Sequence, residues 1–184
     1  MNLKSKNILV VIPKNQFQEQ ELFDTLEVLK ASGVNIIVLS KSGQEARGMD
    51  KSRFSPDGML IDWDKQDGFS GKYHAVLVMG GRGAPKSLWN DPILPQILTD
   101  HYRAERVIGG IGLGVAVLAQ ASLLSGEAAG PDDELFLSEL KKAGISLSKA
   151  PVIQENNMIT AAGSEAAKEF ARTVLDALVQ NIHQ

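Results

Sequence analysis

Short apolar runs alternate with helix-patterned segments along most of this chain. The first run, Asn7 to Ile12, is rich in β-branched residues and nearly continuous in apolar character, which is typical of a strand covered on both faces in a parallel sheet. From Gln18 to Ser32, leucines recur at spacings of four and three residues, which predicts an amphipathic helix ending at Gly33. Val34 to Leu39 is a second buried-strand run. The first forty residues therefore predict a strand–helix–strand unit.

The same alternation continues to the end of the chain. After a polar, turn-rich excursion from Ser40 to Phe69, the pattern predicts further strands and helices. The predicted strands are Met59–Ile61, Ala75–Met79, Arg106–Ile111, Pro151–Ile153 and Met158–Thr160. The predicted helices run from the Asp91-Pro92 start to about Ala104, from Leu113 to Leu124, from Asp133 to Ala143, and from Ala166 to Ile182 with Ser164 as its cap. This order predicts an open, mostly parallel α/β sheet covered by helices, and a chain of 184 residues fits one domain, residues 1–184.

Composition excludes several classes of function. There is no cysteine, which rules out disulfides, thiolate metal sites and cysteine nucleophiles. The three histidines, His74, His101 and His183, are far apart in sequence, so we expect no metal site and no cofactor. A net charge of −3 favours neither nucleic acid nor an anionic membrane as a partner. The first apolar run is too short for a secretory signal or a membrane span, so we expect a cytoplasmic protein.

The segment Gly110-Ile111-Gly112-Leu113-Gly114 is the most informative for chemistry. It lies between a predicted strand and a predicted helix, at the edge of the sheet where open α/β proteins bind ligands. Its form is that of a nucleophile elbow, in which a sharp strand-to-helix turn presents a serine or cysteine, but here the nucleophile position is Gly112. A glycine there would keep the turn and remove the reacting side chain. The alternative is that these glycines only allow close packing of the helix on the strand.

Five segments, in the same order and at similar spacing, resemble one known family. They are Asn7–Ile12, a first strand; Phe17–Leu22, similar to an F-E-D-x-E-L segment; Val76–Gly81, similar to V-L-x-P-G-G; Gly110–Gly114, where the family has A-I-C-H-G; and Asn157–Gly163, similar to N-x-I-T-S-R-G. The chain is thereby identified as a member of the ThiJ/PfpI superfamily. This class I glutamine amidotransferase-like group includes intracellular proteases, glyoxalases and the parkinsonism-associated deglycase. The resemblance implies a flavodoxin-like three-layer sandwich and a homodimer.

The resemblance also assigns candidate site residues. The family's acidic residue corresponds to Glu21, and the diglycine of its oxyanion site corresponds to Gly80 and Gly81. Its cysteine corresponds to Gly112 and the neighbouring histidine to Leu113. Two further positions differ from the family, since Gln18 replaces its first acid and Met79 replaces its proline. The departures therefore cluster on the catalytic centre.

These substitutions predict a protein without cysteine-dependent catalysis. We expect it to bind a small molecule or anion, or to act through protein contacts, with Glu21, Gly80, Gly81, Arg82, Gly112 and Leu113 lining the site. Arg82 can equally be a solvated loop arginine. Glu21 can be a general acid or base, or it can only brace the elbow. The rival hypothesis is an enzyme of the glyoxalase, deglycase, amidase or hydratase class that uses Glu21 and backbone amides without a thiol. A third is an interaction protein whose crevice is filled by its own side chains.

Overall fold

A computed structural model describes residues 3–68 and 71–181 and contains eleven strands and six α-helices in this part of the chain. The strands are β1 (Asn7–Val11), β2 (Asn35–Ser40), β3 (Ala46–Arg47), β4 (Arg53–Phe54), β5 (Gly58–Met59), β6 (Ala75–Val78), β7 (Val107–Ile111), β8 (Glu127–Ala128), β9 (Ser146–Leu147), β10 (Val152–Glu155) and β11 (Met158–Ala161). The helices are α1 (Glu19–Ala31), α2 (Ala84–Ser87), α3 (Leu94–Arg103), α4 (Val115–Gln120), α5 (Glu134–Lys142) and α6 (Ala167–Gln180). Three short 3₁₀ helices span Leu60–Asp62, Gly112–Gly114 and Ser164–Ala166.

Seven strands form one central sheet in the order β10-β11-β7-β6-β1-β2-β5. All neighbouring pairs are parallel except β10 with β11. The five inner strands, taken in chain order, have the 2-1-3-4-5 arrangement of flavodoxin-like proteins. The predicted α/β class, the flavodoxin-like sandwich and the mostly parallel sheet are therefore confirmed.

Helices cover both faces of this sheet because successive strand residues point to opposite sides. In β1, Ile8 and Val10 belong to the apolar core under α1 and α6, whereas Leu9 and Val11 belong to the core under α3, α4 and α5. The leucines of α1 lie in the first core, as the amphipathic pattern predicts. Within the described ranges, no helix is long and apolar enough to cross a membrane.

Two predicted helices are shorter than the sequence pattern indicated. The helix after Asp91 begins at Leu94 rather than Pro92. The Asp91 carboxylate nevertheless accepts hydrogen bonds from the backbone N–H groups of Ile93 and Leu94, at 2.9 Å each, which are the contacts of an N-cap aspartate. The helix after the elbow ends at Gln120 rather than Leu124, and Ser122 then has a left-handed backbone with φ of 59°. Apolar residues beyond Gln120 continue the helical pattern, so periodicity alone placed the end of this helix too late.

The last helix also differs from its prediction. Ser164 lies in a 3₁₀ turn and makes no capping hydrogen bond, and α6 begins at Ala167. Its predicted end, Ile182, lies outside the described residues, as do Phe69 and His183. The predicted strand at Met59–Ile61 is reduced to β5 and a 3₁₀ turn. The β3–β4 hairpin, the β8–β9 pair and α2 were not predicted, because elements of two to four residues carry too little periodicity.

Replacing Asp91 with alanine is expected to lower the free energy of unfolding by about 1–2 kcal/mol. The carboxylate is buried, caps α3 through two N–H groups, and lies 3.8 Å from the Lys41 ammonium. Urea unfolding monitored by circular dichroism measures the change, with the exposed Asp132→Ala as the matched control. Equal stability of the two variants would contradict this role.

Candidate functional site

The carboxyl ends of β1, β6 and β7 bring together three of the predicted segments. Glu21 lies in the first turn of α1, Gly80 follows β6 and Gly112 follows β7. A Cβ atom added to Gly80 would lie 2.7 Å from Glu21 Oε2 and 2.8 Å from the Leu113 nitrogen. Because real Cβ atoms do not approach other atoms this closely, only glycine allows the three segments to meet.

The turn at Gly112 has the backbone of a nucleophile elbow. Gly112 has φ of +58° and starts the 3₁₀ turn that leads from β7 into α4. This left-handed conformation is disfavoured for residues with a Cβ. A Cβ on the flanking Gly114 would lie 2.5 Å from the Val78 carbonyl oxygen. The glycines therefore serve both purposes considered from the sequence: they form the sharp turn, and they allow close packing against β6.

The Glu21 carboxyl occupies the space in which a side chain at position 112 would begin. A Cβ added to Gly112 would overlap Glu21 Oε1 and would lie 3.0 Å from the carboxyl carbon. Any residue other than glycine at this position would have to displace Glu21. The elbow thus keeps its turn but is filled from the neighbouring helix at the point where a nucleophile would start.

Burial changes the ionisation of Glu21. Its side chain is only 4% exposed, and this burial raises the pKa of Glu21 to about 8, although the Gly80 backbone N–H opposes the shift. The carboxyl is therefore mainly protonated at neutral pH. Oε2 has no hydrogen-bond partner among the described residues. A protonated carboxyl whose Oε2 has no partner can donate a hydrogen bond from that oxygen to a ligand oxygen.

Gln18 and Gly81 hold this arrangement in place. The Gln18 side chain caps α1 by accepting a hydrogen bond from the Glu21 N–H at 2.7 Å. The backbone N–H of Gln18 donates to the Gly80 carbonyl at 3.2 Å. Gly81 has φ of +121°, and a Cβ there would lie 2.5 Å from the Gln18 nitrogen. In the part of the chain that the structure describes, the N–H groups of Gly81 and Leu113 donate to no backbone carbonyl. Two backbone donors are consequently left for another acceptor.

Leu113 and Arg82 lie at the exposed side of the elbow. Leu113 is half-buried, and its carbonyl accepts a hydrogen bond from the Trp89 indole at 2.8 Å. Arg82 is exposed, and no salt bridge joins it to another described residue. Met79 is fully buried in the core under α1 and α6.

Two residues near the site were missed from the sequence. Glu19 is buried, and its Oε2 accepts from the N–H groups of Asp50 and Ser52, which ties the β3–β4 turn to the start of α1. The sequence indication that Glu19 lies near the site was its position within the Phe17–Leu22 segment. Trp89 packs in the core under α3, α4 and α5 and also orients the elbow through its hydrogen bond to the Leu113 carbonyl.

The histidines play no part in this site as far as the described residues show. His101 is fully buried, accepts from the Tyr73 N–H at 3.1 Å and lies 2.7 Å from the Ile97 carbonyl oxygen. His74 lies at the opposite edge of the sheet, before β6. Within the described ranges, no group of three or more histidine or acidic side chains could hold a metal ion.

Comparisons with known proteins give one consistent result. The model of the DJ-1/PfpI family matches residues 6–177. An uncharacterized protein from Methanocaldococcus jannaschii is 31% identical over 182 residues, which cover 98% of this chain and 86% of that protein. The glutathione-independent glyoxalase DJR-1.2 of Caenorhabditis elegans is 22% identical over 173 residues, covering 94% and 89%. The crystal structure of a ThiJ/PfpI domain protein from Brachyspira murdochii superposes with a TM-score of 0.85 at 24% identity, covering 96% and 98%.

Proposed function

The chain belongs to the DJ-1/PfpI family, and within that family we propose that it is a non-catalytic member that binds a small carboxylate or similar oxyanion at the elbow. One observation carries the proposal: Glu21 Oε1 fills the position of a Cβ at residue 112. With no cysteine in the chain, no thiolate can reach this turn from elsewhere. Loss of the nucleophile from a triad enzyme lowers its rate by a factor of roughly 10⁶.

Binding needs less than catalysis and is supported by the remaining groups. The protonated Glu21 carboxyl and the free N–H groups of Gly81 and Leu113 are all donors. A set of donors without partners favours an acceptor-only ligand such as a carboxylate oxygen. The exposed Arg82 would add a positive charge at the same edge of the sheet. The bound group is therefore proposed to be a small anion.

The rival function is an enzyme that uses Glu21 as a general acid or base. The unpartnered Oε2 and the pKa of about 8 favour it, because a catalytic group works best when its pKa lies near the working pH. The C. elegans relative is named a glyoxalase, which supplies the substrate class to test. A third alternative, an interaction protein without a ligand, would leave the free donors unused.

Assembly and location are part of the same proposal. Members of this family are commonly dimeric, and we extend a homodimer and a cytoplasmic location to this chain. Size-exclusion chromatography with light scattering tests the first and fractionation of cells the second.

Turnover and binding assays on the purified protein separate these functions. With methylglyoxal, glyoxal and fluorogenic peptide amides, we expect no turnover by the protein or by its Glu21→Ala variant. Titration with acetate should shift the amide NMR signals of Gly81 and Leu113. Arg82→Gln should weaken this binding, whereas Lys86→Gln on α2 serves as the charge-matched control. Turnover that is lost in Glu21→Ala would establish the rival enzyme instead, and absent shifts would favour the interaction protein.

A further inference from the structure

A cluster of basic side chains lies at the amino ends of the central strands, whereas the elbow lies at their carboxyl ends. Lys6, His74 and Arg106 immediately precede β1, β6 and β7. These strands are adjacent and parallel, with Ala75 opposite both Ile8 and Val107. The three side chains therefore start side by side, although they are far apart in sequence.

A cavity of about 210 Å³ connects these residues. Its lining includes Lys6, His74 and Arg106 together with Glu105 and Asn181. Pockets for drug-sized ligands span roughly 300–1,000 Å³. The smaller volume suits a compact ion or a small metabolite headgroup.

Glu105 is the acidic side chain that lines this cavity, and it forms no ion pair with the two cations. Neither Lys6 nor Arg106 forms a salt bridge with another described residue. The Nε–H of Arg106 is buried and has no hydrogen-bond acceptor in the described part of the chain. A buried donor of a charged group without an acceptor is unfavourable, and an anion bound in the cavity beside the guanidinium would offset its charge.

The His74 ring is affected by the same positive charges. Its Nδ1 accepts a hydrogen bond from the Asn7 N–H at 3.0 Å, so the neutral ring carries its proton on Nε2. Burial lowers the pKa of His74, and the charges of Lys6 and Arg106 lower it further, against the opposing effect of the Asn7 backbone. The Glu105 carboxylate lines the same cavity and partly offsets the two cations.

We propose that this cavity is a binding site for a small phosphate-class dianion, either inorganic phosphate or the phosphate of a phosphomonoester. The guanidinium of Arg106 and the ammonium of Lys6 supply the charge-assisted donors that such an anion requires. Asn181 and the His74 ring add neutral polar groups. The site is independent of the function proposed for the elbow, since it lies at the other end of the strands.

Titration with inorganic phosphate tests the proposal on the intact protein. Calorimetry should give saturable binding of one ion per chain, and the His74 ring nitrogens should shift in the NMR spectrum as phosphate raises the pKa of His74. Lys6→Gln and Arg106→Gln should each weaken binding by about tenfold, since loss of a charged hydrogen bond changes affinity by about that factor. Glu105→Gln should strengthen it, because it removes the negative charge that Glu105 contributes to the cavity lining.

Matched controls keep the result interpretable. Lys168→Gln removes an exposed charge from α6 outside the cavity and should leave phosphate affinity unchanged. Glu105→Gln keeps both cations, so it tests the site even where Arg106→Gln does not fold. A parallel titration with glycerol phosphate identifies the source, since tighter binding than inorganic phosphate indicates a phosphomonoester ligand. Absent saturation, or equal affinity in all variants, would overturn the proposal.

Discussion

Replacing Gly112 with alanine is expected to lower the free energy of unfolding by about 2–5 kcal/mol, which combines backbone strain with overpacking. Gly112 has φ of +58°, a conformation that disfavours any residue with a Cβ. The added methyl carbon would also overlap Glu21 Oε1. Glu21 is buried, so its carboxyl has to shift within a packed site to make room for the methyl group.

A second glycine separates these two contributions. Gly144, which follows α5, has φ of +73°, and a Cβ added there would meet no atom within 4 Å. Gly144→Ala therefore introduces strain without overlap and should lower stability by only about 1–2 kcal/mol. Urea unfolding of both variants at one pH measures the difference. Equal losses would show that the space beside Gly112 is open.

The second large effect is a dependence of stability on pH that comes from Glu21. Its pKa is about 8 in the folded chain against an ordinary value of 4.5. The folded state therefore holds a proton that the unfolded state releases between these two values. The stabilisation is complete below pH 4.5 and is lost as pH rises toward 8, with an expected total of about 5 kcal/mol from the linkage relation.

Glu21→Gln is the variant that isolates this effect. Glutamine has nearly the same shape as glutamate and does not ionise. The contributions of the other titrating groups to the free energy of unfolding therefore cancel when the two proteins are compared at the same pH. The wild-type protein should lose stability relative to Glu21→Gln throughout the range from pH 4.5 to pH 8. A difference in stability that stays constant over this range would mean that Glu21 is ionised and solvated in the folded protein.

The sheet could be predicted from the sequence because its strands are covered on both faces. Continuous apolar runs such as Leu9 to Ile12 have few alternatives in a chain of this kind, and the helix of Leu22, Leu26 and Leu29 has the period that one buried face requires. Boundaries were less predictable. The Asp91 carboxylate makes the capping contacts that the Asp91-Pro92 pair predicts, yet α3 begins only at Leu94, two residues later than Pro92.

The candidate site was predictable as a set of residues but not as a geometry. The elbow glycines and Glu21 could be placed at one edge of the sheet from their positions after strands. No pattern in the sequence indicates that the Glu21 carboxyl lies where the Cβ of residue 112 would be, because that contact depends on how the first turn of α1 meets the turn that follows β7. The basic cavity was missed because Lys6, His74 and Arg106 share no local motif.

A double-mutant cycle on Gly112 and Glu21 tests most directly the claim that Glu21 fills the elbow. The four proteins are the wild type, Gly112→Ala, Glu21→Ala and the combination, each unfolded with urea at the same pH. The structure predicts that Gly112→Ala destabilises the Glu21→Ala protein no more than Gly144→Ala destabilises the wild type, because only strain remains. If Gly112→Ala instead lowers stability equally in both backgrounds, the carboxyl does not occupy that space and the account of a filled elbow is wrong.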